Sequence, residues 1–88
     1  MKRIILDLTH IETVKALHIY MQYKLDLPDY YGRNLDALYD CLTEIAEDTQ
    51  IILCTRGMTS GISAYLPRLM HVLRDAEQEN AHVTIVEK

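Results

Sequence analysis

Two aspartates four residues apart, Asp36 and Asp40, stand among leucines at helical spacing, with Tyr39 and Thr43 beside them. Residues four apart share one helix face, and paired carboxylates can hold a divalent cation or act as general acid and base. Acid–base work, however, needs a pocket that shifts a carboxyl pKa, and a convex helix face offers none. No third ligand, histidine or nucleophile lies at a supporting spacing. A metal-assisted hydrolase using Asp36 and Asp40 is therefore the weaker reading, and a solvated face or an acidic docking surface stands beside it.

The other chemistry-bearing residues form no constellation. Gly32, Gly57 and Gly61 fit neither phosphate-binding glycine pattern, and Ser60 and Ser63 lie in no nucleophile elbow. His10 and His18 are about two helical turns apart with nothing to complete a metal site. Cys41 and Cys54 make no zinc spacing and no disulfide framework, so two reduced, buried thiols are expected. No cofactor or metal is expected.

Charge is more informative. Residues 26–48 hold seven acids (Asp26, Asp29, Asp36, Asp40, Glu44, Glu47, Asp48) and one base, Arg33, for a net of −6, while the rest of the chain is +2. A concentrated negative field repels nucleic acid and anionic membrane and attracts a basic partner. Tyr30, Tyr31 and Tyr39 flank the acids, and tyrosine is enriched where interfaces concentrate their binding energy. All six aromatic residues are tyrosines, which gives amphipathic rather than purely apolar aromatic surface.

These residues need elements to hold them. Eighty-eight residues, 49% hydrophobic and 25% charged, make one globular domain spanning 1–88. No run approaches the ~20 apolar residues of a membrane span. Asp7 and His10 come too early for a signal-peptide core, so a cytoplasmic location is expected. Lys2 to Leu8 reads as a strand covered on both faces, because Ile4, Ile5, Leu6 and Leu8 are nearly continuous. Thr9 to Glu12 fits a capping box for a helix with Ile11, Val14, Leu17, Met21 and Leu25 inward, and Pro28 ends it. Residues 29–33 form a loop with Gly32 free to take a positive φ. Asn34 caps the next helix, with Leu35, Leu38, Leu42 and Ile45 facing the core.

Gln50 to Thr55 reads as a second strand, and Arg56 to Ser60 as a polar turn. A helical turn over Ile62 to Tyr65 precedes a helix starting near Leu66, where Pro67 is tolerated. That helix turns Leu69, Leu73 and Ala76 inward, Asn80 closes it, and His82 to Val86 is the last strand. Strands separated by helices pair in parallel through right-handed crossovers. The fold class is α/β, with a three-stranded parallel sheet and about four helices.

The run Leu27-Pro28-Asp29-Tyr30-Tyr31-Gly32-Arg33-Asn34-Leu35-Asp36-Ala37-Leu38-Tyr39-Asp40-Cys41-Leu42-Thr43 closely resembles the loop and second helix of the barstar family, intracellular inhibitors of ribonucleases such as barnase. Arg74-Asp75-Ala76 and Ala81-His82-Val83-Thr84-Ile85 resemble the family's last helix and strand more weakly. The resemblance implies a non-catalytic inhibitor or immunity protein that binds a basic extracellular-type ribonuclease or toxin nuclease one-to-one and plugs its active site. By position, Asp40 takes the place of a substrate phosphate, pairing with the enzyme's arginines and catalytic histidine. Asp36 binds donors at the rim, and Tyr30 stacks on the active-site histidine. Gly32, Asn34, Leu35 and Thr43 line the contact, and Asp75 adds an ion pair. Tyr39 stands where the family has tryptophan, Glu44-Ile45 where it has Gly-Trp, Asp75 where it has glutamate, and Glu77 where it has lysine. An acidic docking module for a basic partner other than a nuclease is the alternative from a different class.

Overall fold

The computed structural model describes all 88 residues. In chain order it contains β1 (Lys2–Asp7), α1 (Val14–Lys24), α2 (Leu35–Thr43), β2 (Thr49–Cys54), α3 (Ser60–Ser63), α4 (Leu66–Glu79) and β3 (Val83–Glu87). The strands lie in the order β1-β2-β3 and all pair in parallel, with Ile4 beside Ile51 and Ile51 beside Ile85. This is the expected α/β architecture of three parallel strands and four helices.

The sheet is packed on one face only. Ile4, Leu6, Ile51, Leu53, Val83 and Ile85 are buried, while Ile5 is 54% exposed and Ile52, Cys54 and Val86 are half-buried. The expectation that β1 is covered on both faces is therefore corrected. A strand order that never reverses, joined by crossovers of one hand, sends every helix to the same side. A continuous apolar run cannot distinguish one covered face from two.

The first helix also differs from its expected start. Thr9 makes no cap: its hydroxyl donates to Asp7 Oδ1 at 2.7 Å, and its amide donates to the same oxygen at 3.1 Å. Thr13 caps instead, accepting from the Ala16 amide at 3.1 Å. Ile11 is buried from the preceding turn, Val14 is exposed, and the inward face is Leu17, His18 and Met21. The helix stops before Pro28 is reached. Asp26 takes a left-handed φ of 52°, and the Asp26 and Leu27 amides donate back to the Tyr23 and Gln22 carbonyls. That pair of reversed bonds is a Schellman closure built without glycine. The short α3 forms slightly earlier than expected, with Ile62 still buried in it.

Both free edges of the sheet are guarded by side chains. Glu77 Oε2 accepts from the Ile85 amide at 2.7 Å, and Arg74 donates to the Ile85 carbonyl at 3.0 Å, so one turn of α4 stands in for a fourth strand beside β3. At the β1 edge the Tyr20 hydroxyl accepts from the Asp7 amide at 3.0 Å. Unpaired strand edges invite association with other chains, and these contacts remove part of the template.

Two buried polar side chains tie the helices together. Asn80 closes α4, as expected, but in an extended conformation (φ −129°) rather than a left-handed one. Only 7% exposed, it donates to the Leu42 and Ile45 carbonyls at 2.9 Å each, and its oxygen accepts from the His82 amide at 2.9 Å. One side chain thus pins the end of α2 to the turn between α4 and β3. His18, 1% exposed, joins the Tyr31 hydroxyl through Nδ1 and the Tyr65 hydroxyl through Nε2 at 3.0 Å. It thereby links α1 to the loop before α2 and to the start of α4.

Two outcomes are expected. Asn80→Ala should lower unfolding free energy by about 2–4 kcal/mol, because it removes three bonds and strands buried carbonyls; urea denaturation measures this. Burial holds the His18 pKa below its ordinary value, so the unfolded chain takes up that proton first as pH falls. The associated stability is complete above about pH 6.5 and is lost as pH drops from there through the lower folded-state pKa. In His18→Gln the loss of stability between pH 7 and pH 5 should be smaller than in the parent.

Candidate functional site

The inner face of α2 dictates its outer one. Leu38 and Leu42 are fully buried, and the helix packs chiefly against α4. Asp36 and Asp40 each lie two positions from Leu38, which at ~100° per residue puts them on the far side. Both are exposed. The Asn34 side chain caps the helix as expected, accepting from the Ala37 amide at 2.8 Å, and the Thr43 hydroxyl donates to the Asp40 carbonyl at 2.9 Å.

The acids keep their charge uncancelled. The chain's close contacts between basic side chains and carboxylates are Arg74–Glu77 at 3.2 Å and the histidine–carboxylate contacts His71–Asp75 at 3.3 Å and His82–Asp48 at 2.7 Å, and neither Asp36 nor Asp40 takes part in one. Arg33, the lone base of the acidic segment, is exposed and bonds to α1 rather than to an acid: its Nε donates to Gln22 Oε1 at 3.2 Å, and Gln22 in turn donates to the Pro28 carbonyl at 3.2 Å.

The loop ahead of α2 splits its two tyrosines. Tyr31 is buried under His18, and burial pushes its hydroxyl pKa far above the usual range. Its neighbour Tyr30 is 79% exposed, so anchoring one ring presents the other. Gly32 is not the residue in left-handed geometry: that conformation falls on Arg33, with φ 56°. A Cβ at 32 would sit tightly, 3.2 Å from Asn34 Nδ2, the group that donates to the Gly32 carbonyl at 3.3 Å, so a larger residue there would push on the Asn34 side chain.

Tyr39 marks where the two helices meet. It is half-buried, and its hydroxyl is held above the ordinary tyrosine value by desolvation first, then by the carboxylates of Glu79, Asp75 and Asp40. Asp75 on α4 therefore shares the field of the α2 acids, so Tyr30, Gly32, Asn34, Leu35, Asp36, Tyr39, Asp40, Thr43 and Asp75 fall on the loop, α2 and the adjoining part of α4. Leu35 and Asp36 also border a groove of about 410 Å³ between the starts of α2 and α4, closed by Pro67, Arg68, His71 and Val72.

Sequence reasoning missed Glu79, His18 and this groove. Glu79 was accessible, since it lies one helical turn beyond Asp75 on the same face. His18 follows the buried Leu17 and precedes Met21 by three, but no local pattern names its two tyrosine partners, which are far away in the chain. Chemistry at the site is limited. Burial, then Glu44 and Asp40, raises the Cys41 thiol pKa, which works against the nucleophilic thiolate. Cys41 and Cys54 are both free, but half-buried rather than buried as expected. No group of three or more His, Cys, Asp or Glu side chains is placed to hold a metal ion.

Comparison with known proteins agrees with this architecture. The family model described as "Barstar (barnase inhibitor)" matches residues 1–86. A protein of Bacillus subtilis (strain 168) named "Putative ribonuclease inhibitor YrdF" is 38% identical over 82 residues, covering 90% of this chain and 89% of its own. The match runs over nearly the whole chain and the relative is covered almost end to end, so the chain belongs to the barstar family.

Proposed function

We propose that this protein is a non-catalytic inhibitor that binds a bacterial ribonuclease one-to-one and fills its basic active site with the loop and outer face of α2. The observation that carries this reading is the unpaired, exposed Asp36–Asp40 face beside an exposed Tyr30. A carboxylate has a phosphate's charge sign and accepts forked hydrogen bonds from guanidinium groups. Asp40 therefore stands in for a substrate phosphate, Asp36 meets donors at the rim, and Tyr30 stacks on an active-site ring. Tyr39, Thr43, Leu35, Asn34 and Gly32 complete the contact, with Asp75 at its edge. No helix is long and apolar enough to cross a membrane, and action inside the cell that makes the ribonuclease, as its immunity protein, follows from the same reading.

The test is inhibition of barnase by the purified protein, with Asp40→Ala alongside. Inhibition should be stoichiometric, should exclude substrate RNA, and should weaken with added salt as exposed charges are screened. Asp40→Ala should cost about 3–5 kcal/mol of binding, because it strands desolvated cations in the partner, and should leave the thermal midpoint of the free protein unchanged or slightly raised. An acidic docking module would bind without displacing RNA. A metal-assisted hydrolase would instead gain thermal stability from a divalent cation.

A further inference from the structure

The groove beside Asp36 carries a charge of the opposite sign. Arg68, on its α4 wall, is in none of the chain's ion pairs. Its guanidinium lies over the Tyr65 ring, 5.3 Å from the centroid. The hydroxyl of that ring is held by His18 at 3.0 Å, and His18 in turn holds Tyr31, next to the exposed Tyr30. The cation thus rests against a ring whose hydroxyl belongs to the same hydrogen-bonded network as the loop ahead of α2. The neighbouring His71 is already turned to Asp75, which leaves the exposed Arg68 as the cation of this wall with no carboxylate partner in the chain. The floor is apolar, from Leu35, Pro67 and Val72.

We propose that Arg68 is a specificity residue of the inhibitory surface, and that the groove receives a carboxylate-bearing side chain from the rim of the ribonuclease's basic cleft. This rests on the inhibitor reading above. Asp36 belongs both to that surface and to the groove, so the two are continuous. A guanidinium offers a fork matched to a carboxylate, and its contact with the Tyr65 ring favours the conformer at the groove wall, which lowers the ordering cost on binding. Asp36 on one wall and Arg68 on the other give the surface a fixed polarity. A uniformly cationic cleft would be attracted to the first and repelled by the second; a cleft with an acid at the matching rim position satisfies both. The acidic face supplies attraction to basic ribonucleases in general, and Arg68 selects among them.

The sign of the effect makes this testable. Against a basic partner, long-range electrostatics alone predict that removing a positive charge from the inhibitor tightens binding. The groove contact predicts the reverse. Binding to barnase should be measured by stopped-flow and dissociation kinetics for the parent, Asp40→Ala, Arg68→Ala and Arg56→Ala, the last removing an exposed arginine that does not line the groove. Arg68→Ala should weaken binding about tenfold, chiefly through faster dissociation, with Arg56→Ala unchanged or slightly tighter. Arg68→Lys should recover only part of the loss, because an ammonium keeps the charge but not the fork. Matching thermal midpoints for the free proteins show that the fold is intact. If Asp40→Ala collapses binding while Arg68→Ala binds as tightly as the parent or tighter, the groove contact is overturned and the inhibitor reading stands. If Asp40→Ala binds like the parent, the inhibitor reading itself fails, and this inference with it.

Discussion

A nine-residue helix has too few internal hydrogen bonds to persist alone in water, and the acidic surface of this protein is built on one. Everything that gives α2 a fixed position therefore comes from outside it. Leu38 and Leu42 bury its inner face, Asn34 satisfies its first turn, and Asn80 reaches across to carbonyls at and beyond its last turn. The loop that leads into it is held by the Tyr31 hydroxyl on His18. Because the helix is restrained at both ends and along one face, its outward face is free of structural duty. Asp36 sits well in the first turn, near the positive end of the helix dipole. Asp40 and Glu44 lie toward the negative end, where acids are opposed by a few tenths of a kcal/mol to ~1 kcal/mol each. Their placement costs stability locally, and the tertiary ties offset it.

The last long helix serves three neighbours at once, and its periodicity sorts them. Leu69, Leu73 and Ala76 point into the core. Arg74 and Glu77, three apart, turn to the backbone of β3, where the Ile85 amide and carbonyl are both satisfied. Asp75 and Glu79, four apart, bring their charge to Tyr39. The exposed Arg74–Glu77 pair at 3.2 Å adds little by itself, as surface pairs do; its contribution is to saturate an edge. The same helix thus closes the sheet and extends the acidic surface, so a change on one of its faces need not disturb the others.

Much of this was legible in the residues, and the failures have identifiable causes. Element order, parallel pairing, the Asn34 cap, the start of α4 at Leu66 and its inward residues follow from spacing and capping chemistry, which are local. The first cap was decided locally but by a competing bond: Thr9 and Thr13 are both good caps, and Asp7, two residues before Thr9, captured the Thr9 hydroxyl. The covering of β1 was misread because one covered face and two give similar apolar runs when the open face keeps Ile5, Ile52 and Val86. The left-handed φ expected at Gly32 falls on Arg33 instead, because glycine permits that geometry without requiring it. Asn80 and His18 could be placed on or next to their helices, but their partners lie 35 to 38 and 13 to 47 residues away. The distribution of charge, by contrast, is a property of composition, so the acidic surface was visible from the start.

That distribution also limits which partners suit the surface. Free in water, Asp36 and Asp40 are hydrated and cost little. Burying a carboxylate against a partner removes that hydration, a penalty of several kcal/mol per ion, unless the new environment returns both charge and hydrogen bonds. Ordinary protein surface cannot do so for two carboxylates one helical turn apart. A cleft evolved to hold the phosphates of a polynucleotide can, since it already presents clustered guanidinium, ammonium and imidazolium groups whose own desolvation has been met by its fold. The feature that would make α2 a poor general-purpose docking surface, unpaired acids with no internal counter-ion, is the one that, on the proposed inhibitor reading, suits it to a phosphate-binding cleft.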